Sequence, residues 1–144
     1  RHLIPVCTGM IQKEVAERMA ARPGSKAYGI LSVLVQAYYD VEYLFTVPPT
    51  VFNPPPKVQS AVIRMTRNRV ENLGCDEGLF RRLVKTVFNQ RRKMLRVSIR
   101  PLLGTLPHPE RFDEMLKEPL LTRRPEQLSV QEFVDMTNRI AWNG

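Results

Sequence analysis

The chain has 144 residues, 43% of them apolar, and carries a formal net charge of +8. That length is enough for one modest core, and the excess of positive charge favours a polyanionic partner. No apolar run approaches the roughly 20 residues of a membrane span, and Cys7, Cys75, His2 and His108 are too scattered to assemble a metal cluster from neighbours.

Two cysteines without a signal peptide point to a reducing cytoplasm, with a lone disulfide as the open alternative. The first residue is Arg1 rather than Met, and a strand-like segment follows almost at once. That start suggests a piece of something longer.

In chain order, Val6 to Gln12 (VCTGMIQ) reads as a short buried strand. Lys13 to Ala21 follows as a helix with Val15, Ala16 and Met19 on one side, stopped by Pro23-Gly24. Ser25 is placed to cap a second helix, Ala27 to Tyr39, whose Ile30, Leu31, Leu34, Val35 and Tyr38 recur at helical spacing. Its apolar stripe is wide, which predicts burial.

Val41 to Val47 and Val58 to Thr66 are rich in β-branched residues and read as strands. Five prolines in residues 48–56 stiffen the segment between them and keep it out of the sheet. So short a connection leaves no room for a crossover helix, so the two strands should pair antiparallel. Arg67 to Asp76 is polar and turn-rich, a candidate boundary at 68–76.

Beyond it the strand signal disappears. Phe80, Leu83, Val84, Val87 and Phe88 define one apolar helix face. Met94, Leu95, Ile99, Leu102 and Leu103 define a second, after a bend near Asn89-Gln90. Pro109-Glu110 opens a short helix through Phe112, Met115 and Leu116. Ser129 caps a last helix bearing Phe133, Val134, Met136 and Ile140, with Glu132 completing a capping box. The expected architecture is an α+β fragment: a partial sheet with two helices over 1–67, then a small all-α domain over 77–144.

The charge is unevenly spread. From Leu79 to Pro109 there are eight basic residues (Arg81, Arg82, Lys85, Arg91, Arg92, Lys93, Arg96 and Arg100) and no acidic one. A solvated polar face is the ordinary fate of helix charge, but here no acid is interleaved to form i,i+4 pairs. Such a face is more stable when phosphates neutralise it. Phe52 is the one large apolar side chain on the proline loop. It either packs beneath the loop or stacks on a base. Tyr28 and Gly29 either line a cleft or serve the helix start. No glycine-rich nucleotide loop and no acid/base constellation is present. The residues alone therefore reach an RNA- or DNA-binding fragment.

Four ordered strings carry a resemblance: QKEVAER at 12–18, PGSKAYG at 23–29, VPPTVFNPPPKVQSAVIR at 47–64 and FNQRRK at 88–93. Together they are similar to the KsgA-type rRNA adenine dimethyltransferases. The F-x-P-x-P-x-V-x-S pattern (Phe52, Pro54, Pro56, Val58, Ser60) is shared more widely with Erm-type RNA methyltransferases. The likeness is strong over 10–93 and looser through RRPEQLS at 123–129.

The resemblance implies a Rossmann-like methyltransferase sheet followed by a helical rRNA-binding domain. It also implies S-adenosylmethionine as the parent protein's cofactor and dimethylation of N6 on two adjacent adenosines near the 3′ end of small-subunit rRNA. The family's glycine-rich cofactor motif and its N-[IL]-P-Y catalytic motif lie before the matched region, and neither occurs in this sequence. The chain as given is therefore expected to bind no methyl donor and to be inactive alone. Carried over by position, Phe52 matches the aromatic that stacks on the target adenine, and Arg91, Arg92 and Lys93 match the basic motif that grips phosphates. Arg18 and Arg124 are expected to touch RNA as well, and Lys26 and Tyr28 to lie near the active-site cleft. A non-catalytic nucleic-acid-binding module derived from the same fold is the alternative. Self-association is expected at the open strand edge of Val6 to Gln12.

Overall fold

A computed structural model describes residues 6–48, 59–68 and 74–143. It is an α+β fold with a three-stranded antiparallel sheet. The strands are β1 (Val6–Gln12), β2 (Tyr39–Val47) and β3 (Ser60–Arg67), in the order β1-β3-β2. β2 and β3 pair antiparallel, as the short proline-rich connection requires, with a register shift between Tyr43 and Phe45. β1 pairs only with β3, from Val6 opposite Thr66 to Gln12 opposite Ser60, so its other side is a free edge among the described residues.

Strand alternation sorts β3 into two faces. Ala61 and Ile63 are buried against Ala16 of α1 (Lys13–Ala20). The opposite face carries Val62, and the ladder sets Met10 and Phe45 beside it. Met10 is 51% exposed and Phe45 56%. β1 is thus not the buried strand its apolar composition suggests: most of its residues are exposed. The apolar run marks a face that calls for a cover which this chain's described residues do not supply.

The second helix also departs from expectation. α2 spans Ile30–Gln36 and starts after Gly29, not at Ala27. Ser25 caps nothing there, because its Oγ donates to the Arg22 carbonyl and closes a local turn (2.8 Å). Two polar side chains one turn apart tie α2 to the end of α1. Ser32 Oγ donates to the Arg18 carbonyl, and Gln36 Nε2 donates to the carbonyls of Met19 (2.8 Å) and Ala21 (2.7 Å). Helix-end carbonyls left without intrahelical partners are satisfied in this way.

The helical half is organised on α3 (Glu77–Phe88). Asp76 caps it by accepting from the Leu79 N–H at 3.0 Å. Its buried face is Phe80, Leu83, Val84, Val87 and Phe88, the positions that the periodicity marks. After the bend come α4 (Leu95–Ser98) and α5 (Arg100–Leu103). Short 3-10 turns and α6 (Asp113–Leu116) lead to α7 (Val130–Asn143), which closes the core with Phe133, Met136 and Ile140. Val33 and Ala37, from α2 and its end, belong to this same core. Phe88 stands at the junction, its ring 6.3 Å from that of Tyr28 and 5.9 Å from that of Phe133. A second junction joins sheet to helices: the Tyr38 hydroxyl donates to Glu77, and the Arg67 guanidinium lies 4.9 Å from the Tyr38 ring centre.

Candidate nucleic-acid interface

The basic residues sort by what the fold does with them. α3 exposes Arg81, Arg82 and Lys85 because its other side is committed to the core. Arg92 and Lys93 occupy the tight turn that comes next, held by the Lys93 N–H on the Gln90 carbonyl at 2.9 Å, and both are exposed. Arg96 and Arg100 are exposed on α4 and α5. Among the described residues, none of these seven enters an ion pair. Arg82 is engaged by a neutral partner, donating to Thr105 Oγ1 at 2.8 Å. Glu77 lies one helical turn before Arg81, but its carboxylate accepts from the Tyr38 hydroxyl, and no acid is interleaved from Leu79 to Pro109, so this surface is net positive.

Arg91 behaves differently. It is only partly exposed, and its Nη2 donates to the backbone carbonyls of Tyr28 (2.8 Å) and Lys26 (3.3 Å). Its guanidinium carbon is 5.7 Å from the Phe88 ring centre. Nothing in the local sequence signals this contact, which joins segments 63 residues apart.

A cleft of about 760 Å³ opens beside Arg91, between α1, the turn before α2 and the end of α3. Arg18, Lys26 and Arg91 supply its positive wall, and Glu14 and Glu17 its negative one. Arg18 is exposed and paired with Glu14 at 2.7 Å. Lys26 lines this cleft, whereas the Tyr28 side chain is fully buried in the helical core. Burial first, and the nearby Glu132 second, push its hydroxyl up to about 12. Arg124 is exposed just before the 3-10 turn Pro125–Gln127, its backbone N–H held by Gln127 Oε1 at 2.8 Å. The structure thus brings Arg18 and Arg91 to one cleft and leaves Arg92 and Lys93 on the adjoining turn. Phe52 and most of the proline loop lie outside the described residues.

A family model described as ribosomal RNA adenine dimethylase matches residues 4–141. The chain belongs to that family. It is 64% identical over 140 residues to ribosomal RNA small subunit methyltransferase A of Bacteroides fragilis, covering 97% of this chain and 49% of the relative. The corresponding protein of Cytophaga hutchinsonii is 52% identical, with 98% of this chain and 52% of the relative covered. The chain therefore spans about half the length of the curated relatives it matches. Among solved structures, a dimethyladenosine transferase from Plasmodium falciparum has the same fold, with a TM-score of 0.82 at 24% identity. That match covers 100% of this chain and 60% of the other. The 23S rRNA methyltransferase ErmE is similar at a TM-score of 0.55 and 26% identity, over 90% of this chain and 55% of its own.

Among the described residues no glycine turn joins a strand directly to a following helix. β1 passes straight into α1 at Gln12-Lys13 with no glycine turn, and β3 runs into Asn68 and not into a helix.

Proposed function

We propose that this chain is the RNA-facing half of an rRNA adenine dimethyltransferase. The parent protein would use S-adenosylmethionine to dimethylate N6 of two adjacent adenosines near the 3′ end of small-subunit rRNA. The observation that carries the reading is the exposed, unpaired cationic surface of α3–α5 in a chain of this family. In this reading Arg92 and Lys93 contact phosphates, helped by Arg18 and Arg124. These contacts position the RNA without reading its sequence. Phe52 stacks on the target adenine and holds N6 towards the donor. Arg91 stands apart from Arg92 and Lys93, because its Nη2 is engaged by two backbone carbonyls.

The free edge of β1 supports a sheet that continues, Rossmann-like, in the parent protein, and the uncovered face around Met10, Val62 and Phe45 supports a layer packed on it. Residues 1–67 then form the end of the methyltransferase domain and 77–144 a helical rRNA-binding domain, in a protein working in the cytoplasm. The chain alone binds RNA but transfers no methyl group.

The test supplies labelled S-adenosylmethionine and small-subunit rRNA lacking the modification to the parent-length protein and to this chain. Dimethyladenosine formed by the former alone is the expected result. Its absence with the parent-length protein, despite RNA binding, would favour a non-catalytic nucleic-acid-binding module.

A further inference from the structure

We propose that Arg91 is a positioning residue and not a phosphate ligand. It fixes the Arg18–Lys26 wall of the cleft relative to Arg92–Lys93, so that both cationic segments meet one rRNA backbone path. The inference rests on the proposed rRNA-binding function.

Arg91 Nη2 donates to both the Tyr28 and the Lys26 carbonyls, at 2.8 and 3.3 Å. On the other side of the same turn, the Tyr28 ring meets Phe88 edge-on inside the core. The turn is thus held from within by an aromatic contact and from without by one guanidinium nitrogen. The guanidinium also lies over Gly29, where a Cβ would meet Arg91 Nη1 in ordinary van der Waals contact at 3.7 Å.

The helix after the turn inherits its position. The Gly29 carbonyl accepts the Val33 N–H at 3.1 Å and starts α2, and Ser32 of α2 donates to the Arg18 carbonyl. A shift of the turn would therefore carry α2 with it and reach the end of α1, where Arg18 sits. Phosphate binding by the same Nη2 would have to break charge-assisted bonds already made. Arg91→Lys keeps the charge but loses the planar guanidinium that lies over the Phe88 ring while its Nη2 reaches both carbonyls.

The test compares Arg91→Lys, Arg91→Ala, Arg92→Ala and Lys93→Ala in this chain, each first checked for folding by circular dichroism. Hydrogen exchange at Tyr28 to Val33 and the salt dependence of small-subunit rRNA binding are the readouts. Both Arg91 variants should raise exchange by about tenfold. They should weaken rRNA binding by a similar factor at every salt concentration, leaving the log–log slope unchanged. Arg92→Ala and Lys93→Ala should each lower that slope by about 0.7–0.9. A slope reduced in Arg91→Ala and restored in Arg91→Lys would make Arg91 a phosphate ligand and overturn the proposal. Faster exchange with intact affinity would make it merely structural, which also overturns it. A wild-type chain with no salt-dependent rRNA binding would instead bring down the underlying function, and this inference with it.

Discussion

Ser129 and Glu132 satisfy each other at the start of α7: the Glu132 N–H donates to Ser129 Oγ at 3.1 Å, and the Ser129 N–H donates to Glu132 Oε1 at 2.9 Å. Arg123 Nη1 adds a third contact, to Glu132 Oε2 at 2.9 Å. α7 closes the helical core, so its first turn bears on the stability of the whole. Ser129→Ala should cost about 1 kcal/mol, read from urea unfolding. A change below the error of that measurement would mean that water replaces the cap without loss.

The same site gives a pH dependence. Burial alone would push the Glu132 carboxyl up, but the Ser129 N–H and Arg123 outweigh it and hold it below its ordinary value of 4.5. A carboxyl lowered on folding contributes stability that is present above the unfolded value and lost as pH falls through the folded one. Unfolding midpoints should therefore drop below about pH 4.5, and Glu132→Gln should flatten that part of the curve. An acid limb of the same steepness in the variant would contradict the assignment.

Tyr28 has a fully buried hydroxyl with no hydrogen-bond partner. Tyr28→Phe removes that unsatisfied group and keeps the ring against Phe88. It should be neutral or stabilising by up to about 1 kcal/mol. Because the folded hydroxyl is raised from 10.0 to about 12, its share of stability is complete below pH 10 and lost as pH rises through 12. The phenylalanine variant should resist alkali better than the wild type. Destabilisation by Tyr28→Phe at neutral pH would show that the hydroxyl has a partner.

β1 has one unpaired edge among the described residues, and Met10, Val62 and Phe45 form an apolar stripe across the uncovered face. Free strand edges and apolar faces invite pairing between copies. The isolated chain should associate, with light-scattering mass rising across a concentration series. A clean monomer at high concentration would contradict this.

In the parent-length protein, Phe52→Ala should lower turnover more than rRNA affinity. One stacked base is worth about 1–3 kcal/mol, while many phosphate contacts persist. Losing the stack misplaces the adenine, a defect borne mainly by the chemical step. Equal losses in binding and turnover would give Phe52 a structural role.

The fold is legible in the sequence where the physics is local. The Ser129–Glu132 box, the apolar face of α3 and the antiparallel β2–β3 pair each follow from residues close in sequence. The failures lie where a local pattern admits more than one outcome. Ser25 is a plausible cap by position, but its hydroxyl turns to Arg22, and helix α2 begins only after Gly29. VCTGMIQ is apolar enough for a buried strand, yet periodicity cannot say whether the covering surface is present. Arg91 shares a string with Arg92 and Lys93, and only the fold shows that it faces Tyr28 and Lys26.

The central claim is that the cationic surface of α3–α5 is built for rRNA. The direct measurement is binding of this chain to small-subunit rRNA and to duplex DNA at matched salt, for the wild type and for Arg92→Ala/Lys93→Ala. The wild type should prefer the rRNA and hold it at physiological salt, and the double variant should lose about 1.4–1.8 from the log–log salt slope. Equal affinity for both nucleic acids, vanishing by physiological salt and indifferent to the double substitution, would contradict it.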